Sequence, residues 1–375
     1  MMIPLNGWIK PKRVFDGTNL LTGQAVQLKD GYLVQISPVD EMPNTVSAVD
    51  LHGILAPGFV DLQVNGGGGV LLNNQPSHNA MCQILRAHRR HGTVAILPTV
   101  ITDTREVLHA AVNAALEAKE EAGIIGLHIE GPHLSVTRRG THAEEHIRPF
   151  DLETLGLVEK LRNSDIPVMV TVAPEIVGKT VICDLANLGA IVSIGHTNAT
   201  VEEGRAALAQ GARCFTHLFN AMPPMINRDP GVVAAAINSD AYAGIICDGH
   251  HVSDELIKMA LRARPCPDRM FVISDAMPTI SGPEQFKLYN TEVKIKDGRL
   301  INSQGNLAGA HITMSQSVKR LIDCIGISPV EALKMAISVP ADVIQKPELG
   351  QLLNRRVEDL IILRDDYGFD KFASE

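Results

Sequence analysis

Three residues of this chain have the types that hold a divalent cation: Glu130 in GLHIEGPH, His196 in VSIGHTN and His217 in CFTHLFN. Two imidazoles and a carboxylate suit a catalytic Zn2+ or Fe2+ with a coordination position left for water. Asp275 ends the run FVISD and has two readings. It is a helix N-cap, or it is the general base beside a cation-activated water. His142 in RRGTHAEEH reads by itself as a solvated loop histidine, and Arg228 in PPMINRDPG as a surface arginine. A loop arginine beside a cleft would nevertheless suit a phosphate. Asp248, His250 and His251 crowd into CDGHHV. In FVDLQVNGGGG, Asp61, Gln63 and Asn65 share one parity, so a strand would put them on one face just before a glycine turn.

These groups need elements that bring them together. From residue 57 short apolar bursts alternate with amphipathic stretches: FVDLQV (59–64), TVAILPT (93–99), IIGLHIE (124–130), PVMVTVAPE (167–175), AIVSIGH (190–196), RCFTHLF (213–219), AGIICDG (243–249) and RMFVISD (269–275). Thr104, Thr200 and Ser253 are cap-type residues ahead of helical segments between them. Eight near-continuous apolar strands, each followed by a helix, predict a parallel (β/α)8 barrel over 56–340, with a doubly wound sheet as the structural competitor. In a barrel the C-terminal strand ends form the active-site mouth. Gln63, Asn65, Glu130, His196, His217, Asp248, His250, His251 and Asp275 all fall there.

Residues 1–55 carry short β-type runs, with Lys29-Asp30-Gly31 as a hairpin turn. After 282, EVKIKDGRLINSQGNLAGAH reads as a hairpin-like insertion and loop, and MSQSVKRLIDCIGISPVEALKMAISVPADVIQ as two helices. VEDLIILRDD (357–366) reads as one more strand. It can pair with the N-terminal strands, so that 1–55 and 341–375 form one discontinuous β domain.

The bulk numbers narrow the function classes. The 375 residues are 45% hydrophobic with a net charge of -8, and no basic tract offers a footprint for nucleic acid. No run approaches the ~20 apolar residues of a membrane span. The N-terminal segment lacks the apolar stretch and cleavage site of a signal peptide, so the expected location is the cytoplasm. The six cysteines, at 82, 183, 214, 247, 266 and 324, form no CxxC pair and mostly sit in apolar contexts, as core thiols do.

HIEGPHLS, RRGTHAEEHIRP, GHTNAT, THLFNAMPPMINRDPG, GIICDGHHV, VISDAM and LAGAHITM, taken in this order, resemble the signature segments of the N-acetylglucosamine-6-phosphate deacetylase family, in the amidohydrolase superfamily. The resemblance runs from about 50 to 345. It implies a TIM-like barrel with a small β-sandwich domain formed by both termini, a homo-oligomer (usually a dimer), and hydrolysis of the acetamide of a 2-acetamido sugar 6-phosphate. By the same resemblance Glu130, His196 and His217 match the metal ligands, Asp275 the catalytic acid/base, and His142 the histidine near the substrate carbonyl. Thr141, Asn220, Ala221, Arg228, Asp248, His251, Leu307, Ala308 and Gly309 match substrate contacts, with Arg228 and His251 at the phosphate.

Many amidohydrolases carry His-x-His on the first strand for a second metal. Gln63 and Asn65 stand there instead, and neutral amides are poor ligands for Zn2+ or Fe2+. One divalent ion per subunit is therefore expected, Zn2+ ahead of Fe2+ or another ion. Two departures are visible: His133 stands where an aromatic often follows Glu-Gly-Pro, with an expected effect on sugar preference, and LLNRRVEDL replaces the usual PGK-x-ADL. Three rivals remain open: the galacto epimer as substrate, a cyclic-amide hydrolase of the same superfamily, and a non-catalytic sugar-phosphate binding protein.

Overall fold

The computed structural model describes residues 4–43, 47–303 and 305–375. The starts and ends of the predicted bursts shift by a few residues, but all eight are strands. They run Phe59–Val64, Thr93–Ile101, Leu127–Glu130, Val168–Val172, Ile191–Ile194, Cys214–Phe215, Tyr242–Ile245 and Met270–Val272. Neighbours pair in parallel in sequence order. The ring closes where Asp275 N–H donates to Gln63 O at 3.0 Å and Val64 bridges Ala276. The chain is thus a (β/α)8 barrel and not a doubly wound sheet. Most of these strand residues are buried, as side chains enclosed by a barrel interior on one face and helices on the other must be.

The helix starts follow their caps. Thr104, Thr200 and Ser253 side chains each accept a backbone N–H of the first turn, at Val107, Glu203 and Leu256, and Glu203 returns the bond to complete a capping box at Thr200. The Asp30-Gly31 turn forms as read, with φ of 51° and 76°, joining Gln24–Lys29 to Tyr32–Pro38.

Both ends of the chain build one seven-stranded sheet. In it Ala48–Pro57 lies parallel to Gly7–Phe15 and antiparallel to Leu360–Leu363. Alternation in these strands splits their side chains between two cores. Leu55, Leu360 and Ile362 pack with Ile9, Val26 and Leu28, whereas Ile54, Ala56, Ile361 and Leu363 pack into the barrel core. The terminal sheet is thereby welded to the barrel by buried apolar area.

The insertion is larger than a hairpin: Gln285–Leu288, Thr291–Lys296 and Arg299–Asn302 form a three-stranded antiparallel sheet. Gln304 of that stretch lies outside the described residues. Its core joins Leu288, Val293 and Leu300 to Leu71, Ile101 and Met277. The segment read as two helices gives Met314–Arg320, Pro329–Ala336 and Ser338–Val343. The cysteines are all free; Cys82, Cys214 and Cys247 are buried, and Cys324 is exposed.

Candidate active site at the barrel mouth

The strand ends converge. Glu130 Oε1 lies 3.2 Å from His196 Nε2 and 3.0 Å from His217 Nε2, and the two Nε2 atoms are 3.0 Å apart. A tetrahedral zinc with bonds of about 2.0–2.1 Å needs donors roughly 3.3 Å from one another. The three atoms meet that spacing with a small opening. Orientation supports the fit, because His196 Nδ1 sits 2.9 Å from Arg138 O, an N–H donor bond that leaves the Nε2 lone pair facing the cluster. His142 also comes within ligand reach of Glu130 and His196. Without an ion, burial pushes the Glu130 carboxyl up, but hydrogen bonds and charge from His196 and His217 in their protonated forms hold it well below the usual range. Burial likewise draws His217 down, and the Glu130 bond and charge outweigh it, so its pKa is raised.

The backbone helps to aim these groups. His196, His217 and Asp275 follow their strands with φ of 47°, 29° and 48°, in the left-handed region. A turn there redirects the side chain out of the strand's alternation, at a cost of order 1–3 kcal/mol each.

Asp275 is nine-tenths buried or more and sits between two amides. Asn65 Nδ2 donates to its Oδ1 at 2.7 Å and Gln63 Nε2 at 3.2 Å; Gln63 Nε2 is also 3.0 Å from Glu130 Oε1. The amides therefore hold the two carboxylates by donated hydrogen bonds. Histidines at these positions would present lone pairs or share protons instead. Burial, with the charge of Glu130, pushes Asp275 up to about 6 against the pull of His217 and Asn65. The N-cap reading fails, since no described helix begins at Asp275.

His142 is buried, not solvated, because its loop folds back over the mouth. Its Nδ1 lies 2.8 Å from Thr102 Oγ1, and its ring centroid lies 4.3 Å from that of His196. Burial and the neighbouring His196 hold its pKa well below the usual histidine value.

The cleft above encloses about 200 Å³. Of the residues singled out in the sequence, Asn65, Glu130, Thr141, His142, His196, His217, Asn220, Ala221, His251, Asp275, Leu307 and Gly309 line it. Ala308, between the last two, is fully buried in the insertion core. Asp248 stands behind His251 and accepts from its Nδ1 at 2.6 Å and from its backbone N–H at 2.9 Å. That bond and charge hold Asp248 down at about 2 although burial opposes them. Arg228 lies exposed on the loop after Ala221 and is not among the lining residues. His133 is buried away from the cleft, bonded to Arg148 O and Thr154 Oγ1 at 3.1 Å each and packed on Phe150.

The sequence reading missed the contribution of the second strand. Ile101 lines the cleft and Thr102 holds His142. Met277 and Ile246 supply further apolar wall. The position of Thr102 at the end of an apolar burst was the available signal.

Residues 54–373 match the amidohydrolase family. The chain is 36% identical to an N-acetylgalactosamine-6-phosphate deacetylase from Shewanella sp. (strain ANA-3), covering 94% of this chain and 91% of the relative. It is 32% identical to an N-acetylglucosamine-6-phosphate deacetylase from Haemophilus influenzae, covering 94% of each. The crystal structure of the N-acetylglucosamine-6-phosphate deacetylase from Pasteurella multocida superposes with a TM-score of 0.87 at 33% identity, over 96% of this chain and 97% of that one. With its strand-end chemistry and its fold both in agreement with these likenesses, the chain belongs to the amidohydrolase family.

Proposed function

We propose that this protein removes the acetyl group of N-acetylglucosamine 6-phosphate, giving acetate and glucosamine 6-phosphate. The observation that carries the reading is the joint placement of Glu130, His196 and His217 within 3.2 Å of one another and of Asp275 on a shared amide clamp. The relatives' substrates supply the sugar phosphate. We infer that Glu130, His196 and His217 hold one divalent ion, Zn2+ first. Bound there, such an ion lowers the pKa of a water and polarises the acetyl carbonyl.

The Asp275 carboxylate, whose Oδ1 is held by the two amides, takes the proton of the attacking water and then delivers it to the leaving nitrogen, so one carboxylate serves as base and as acid. Asn65 and Gln63 fix its direction. Thr102 Oγ1 lies 2.8 Å from His142 Nδ1 and donates to Glu130 O at 3.3 Å, so it ties the imidazole to the strand end that carries Glu130. We assign His142 to the acetyl carbonyl oxygen, where charge develops. We assign His251, a lining residue held by Asp248, to the phosphate, and with it Arg228 from the exposed loop outside the cleft. Thr141, Asn220, Ala221, Leu307 and Gly309 contact the sugar, and Ala308 anchors the segment from the core behind. We further place the protein in the cytoplasm as a homodimer. Among the described residues no helix is long and apolar enough to cross a membrane.

The test is acetate release from N-acetylglucosamine 6-phosphate before and after chelation, with metal counted per chain. Release that needs the metal, at one catalytic equivalent, supports the reading; no release from metal-loaded protein rejects it. The 36% identity to an N-acetylgalactosamine-6-phosphate deacetylase favours a second reading, the galacto epimer. Comparing kcat/KM on both sugars separates the two.

A further inference from the structure

A second set of metal-ligating side chains lies outside the cleft. His78 opens the first barrel helix, His78–Arg89, and Cys82 follows one turn later, so the two project from one face. Glu121, in the segment between the second helix and the third strand, reaches the same spot. His78 Nε2 is 3.2 Å from Cys82 Sγ and 3.6 Å from Glu121 Oε2, and the three donor atoms all lie within 4.8 Å of one another. None of the three lines the catalytic cleft.

We propose that His78, Cys82 and Glu121 form a peripheral binding site for a soft divalent transition-metal ion, Zn2+ by preference, separate from the catalytic centre. A zinc bound through sulfur at about 2.3 Å and nitrogen at about 2.0–2.1 Å sets its S and N donors roughly 3.5 Å apart, and its N and O donors roughly 3.3 Å apart. The observed separations of 3.2 and 3.6 Å bracket those values, so a rotamer-scale adjustment completes the set. The donor types carry the selectivity. A thiolate and an imidazole prefer zinc to magnesium or calcium, and a thiolate with a carboxylate neutralises the ion's charge. The Cys82 side chain is nearly buried while His78 and Glu121 are partly exposed, so an ion can enter from solvent and keep a water as its fourth ligand. Binding releases the thiol proton, and the bound ion ties the first helix to the segment ahead of the third strand.

The two centres have distinguishable chemistry, because the catalytic set offers only nitrogen and oxygen donors. Co2+ added to metal-stripped full-length protein is therefore the probe. The expected result is a thiolate-to-cobalt charge-transfer band in the near ultraviolet that saturates at one ion per chain beyond the catalytic equivalent. Cys82→Ser abolishes the band and leaves the basal activity of the zinc enzyme unchanged. His78→Ala weakens the Co2+ affinity of the band by about tenfold or more. Absence of the band in folded wild-type protein overturns the proposal. So does a band that persists in Cys82→Ser, which would assign it to another thiol. If Cys82→Ser fails to fold, the His78→Ala titration decides: unchanged affinity overturns the site. None of these outcomes depends on which sugar is hydrolysed.

Discussion

Asp275 shows how much a side chain's neighbours decide. A carboxylate in a barrel mouth with no donors would be costly to keep charged, and Asn65 and Gln63 supply two donors to one of its oxygens. Asp275→Asn keeps the size but removes the proton acceptor. Turnover is expected to fall about 10²- to 10⁴-fold with metal content and melting temperature retained; near-normal kcat at full metal loading would exclude Asp275 as the base. Thr102→Val removes the hydroxyl that faces His142 Nδ1. A fall in kcat of about tenfold, with little change in KM, is expected from the loss of one buried hydrogen bond. Equal kcat for Thr102→Val and wild type would show that His142 needs no such partner.

Elements set the site through their ends. The loop after the third strand turns at Gly131, whose φ is 82° and whose missing Cβ would stand 2.2 Å from Thr102 Oγ1. Gly131→Ala forces Thr102 or the turn to move, and with it Glu130 and His142. A displacement of this size is expected to cost about 100-fold in kcat/KM, measured on protein shown to be folded by circular dichroism. The opposite case is Thr200→Ala. It removes the capping box of Val201–Ala209 on the outside of the barrel, with Thr200 exposed. Unfolding stability should fall by about 1 kcal/mol while kcat stays put. A large loss of activity there would mean that this helix end governs the nearby His196 turn.

Over the whole molecule, three buried histidines make the fold acid-sensitive. Burial draws His88, His128 and His133 each down to about 4, against a hydrogen bond to Gly66 O at His88, the charge of Glu130 at His128 and a hydrogen bond to Arg148 O at His133. Between about pH 6.5 and 4 the unfolded chain binds protons that the folded chain refuses, so stability rises with pH across that window and is lost on acidification. Each histidine contributes up to about 3 kcal/mol over the whole of that window. The melting temperature of metal-stripped protein should be flat between pH 7 and 8 and fall steeply from pH 6 to 4.5. Asp61 and Asp275, whose carboxyls burial pushes up to about 7 and about 6, oppose part of this slope, so the imidazoles are read directly: NMR titration midpoints of His88, His128 and His133 at the ordinary histidine value would show that they are not held neutral.

The sequence by itself determined the barrel and most of its mouth. Burial on both faces turns parallel strands into continuous apolar runs, and the polar residue that ends each run, as at Glu130, His196 and Asp275, is then placed by rule at the C-terminal rim. The caps at Thr104, Thr200 and Ser253 were legible for a similar reason, since the bonds they make are three residues away in the chain. What needed the tertiary structure was every pairing across strands. That Gln63 and Asn65 hold Asp275, that Thr102 holds His142, and that His133 turns into the wall depends on side chains brought together from positions tens to hundreds of residues apart. The left-handed backbone at His196, His217 and Asp275 was equally hidden, because local propensity argues against it and only the surrounding packing enforces it. The cluster of His78, Cys82 and Glu121 joins a helix to a distant segment, so no spacing in the sequence marks it.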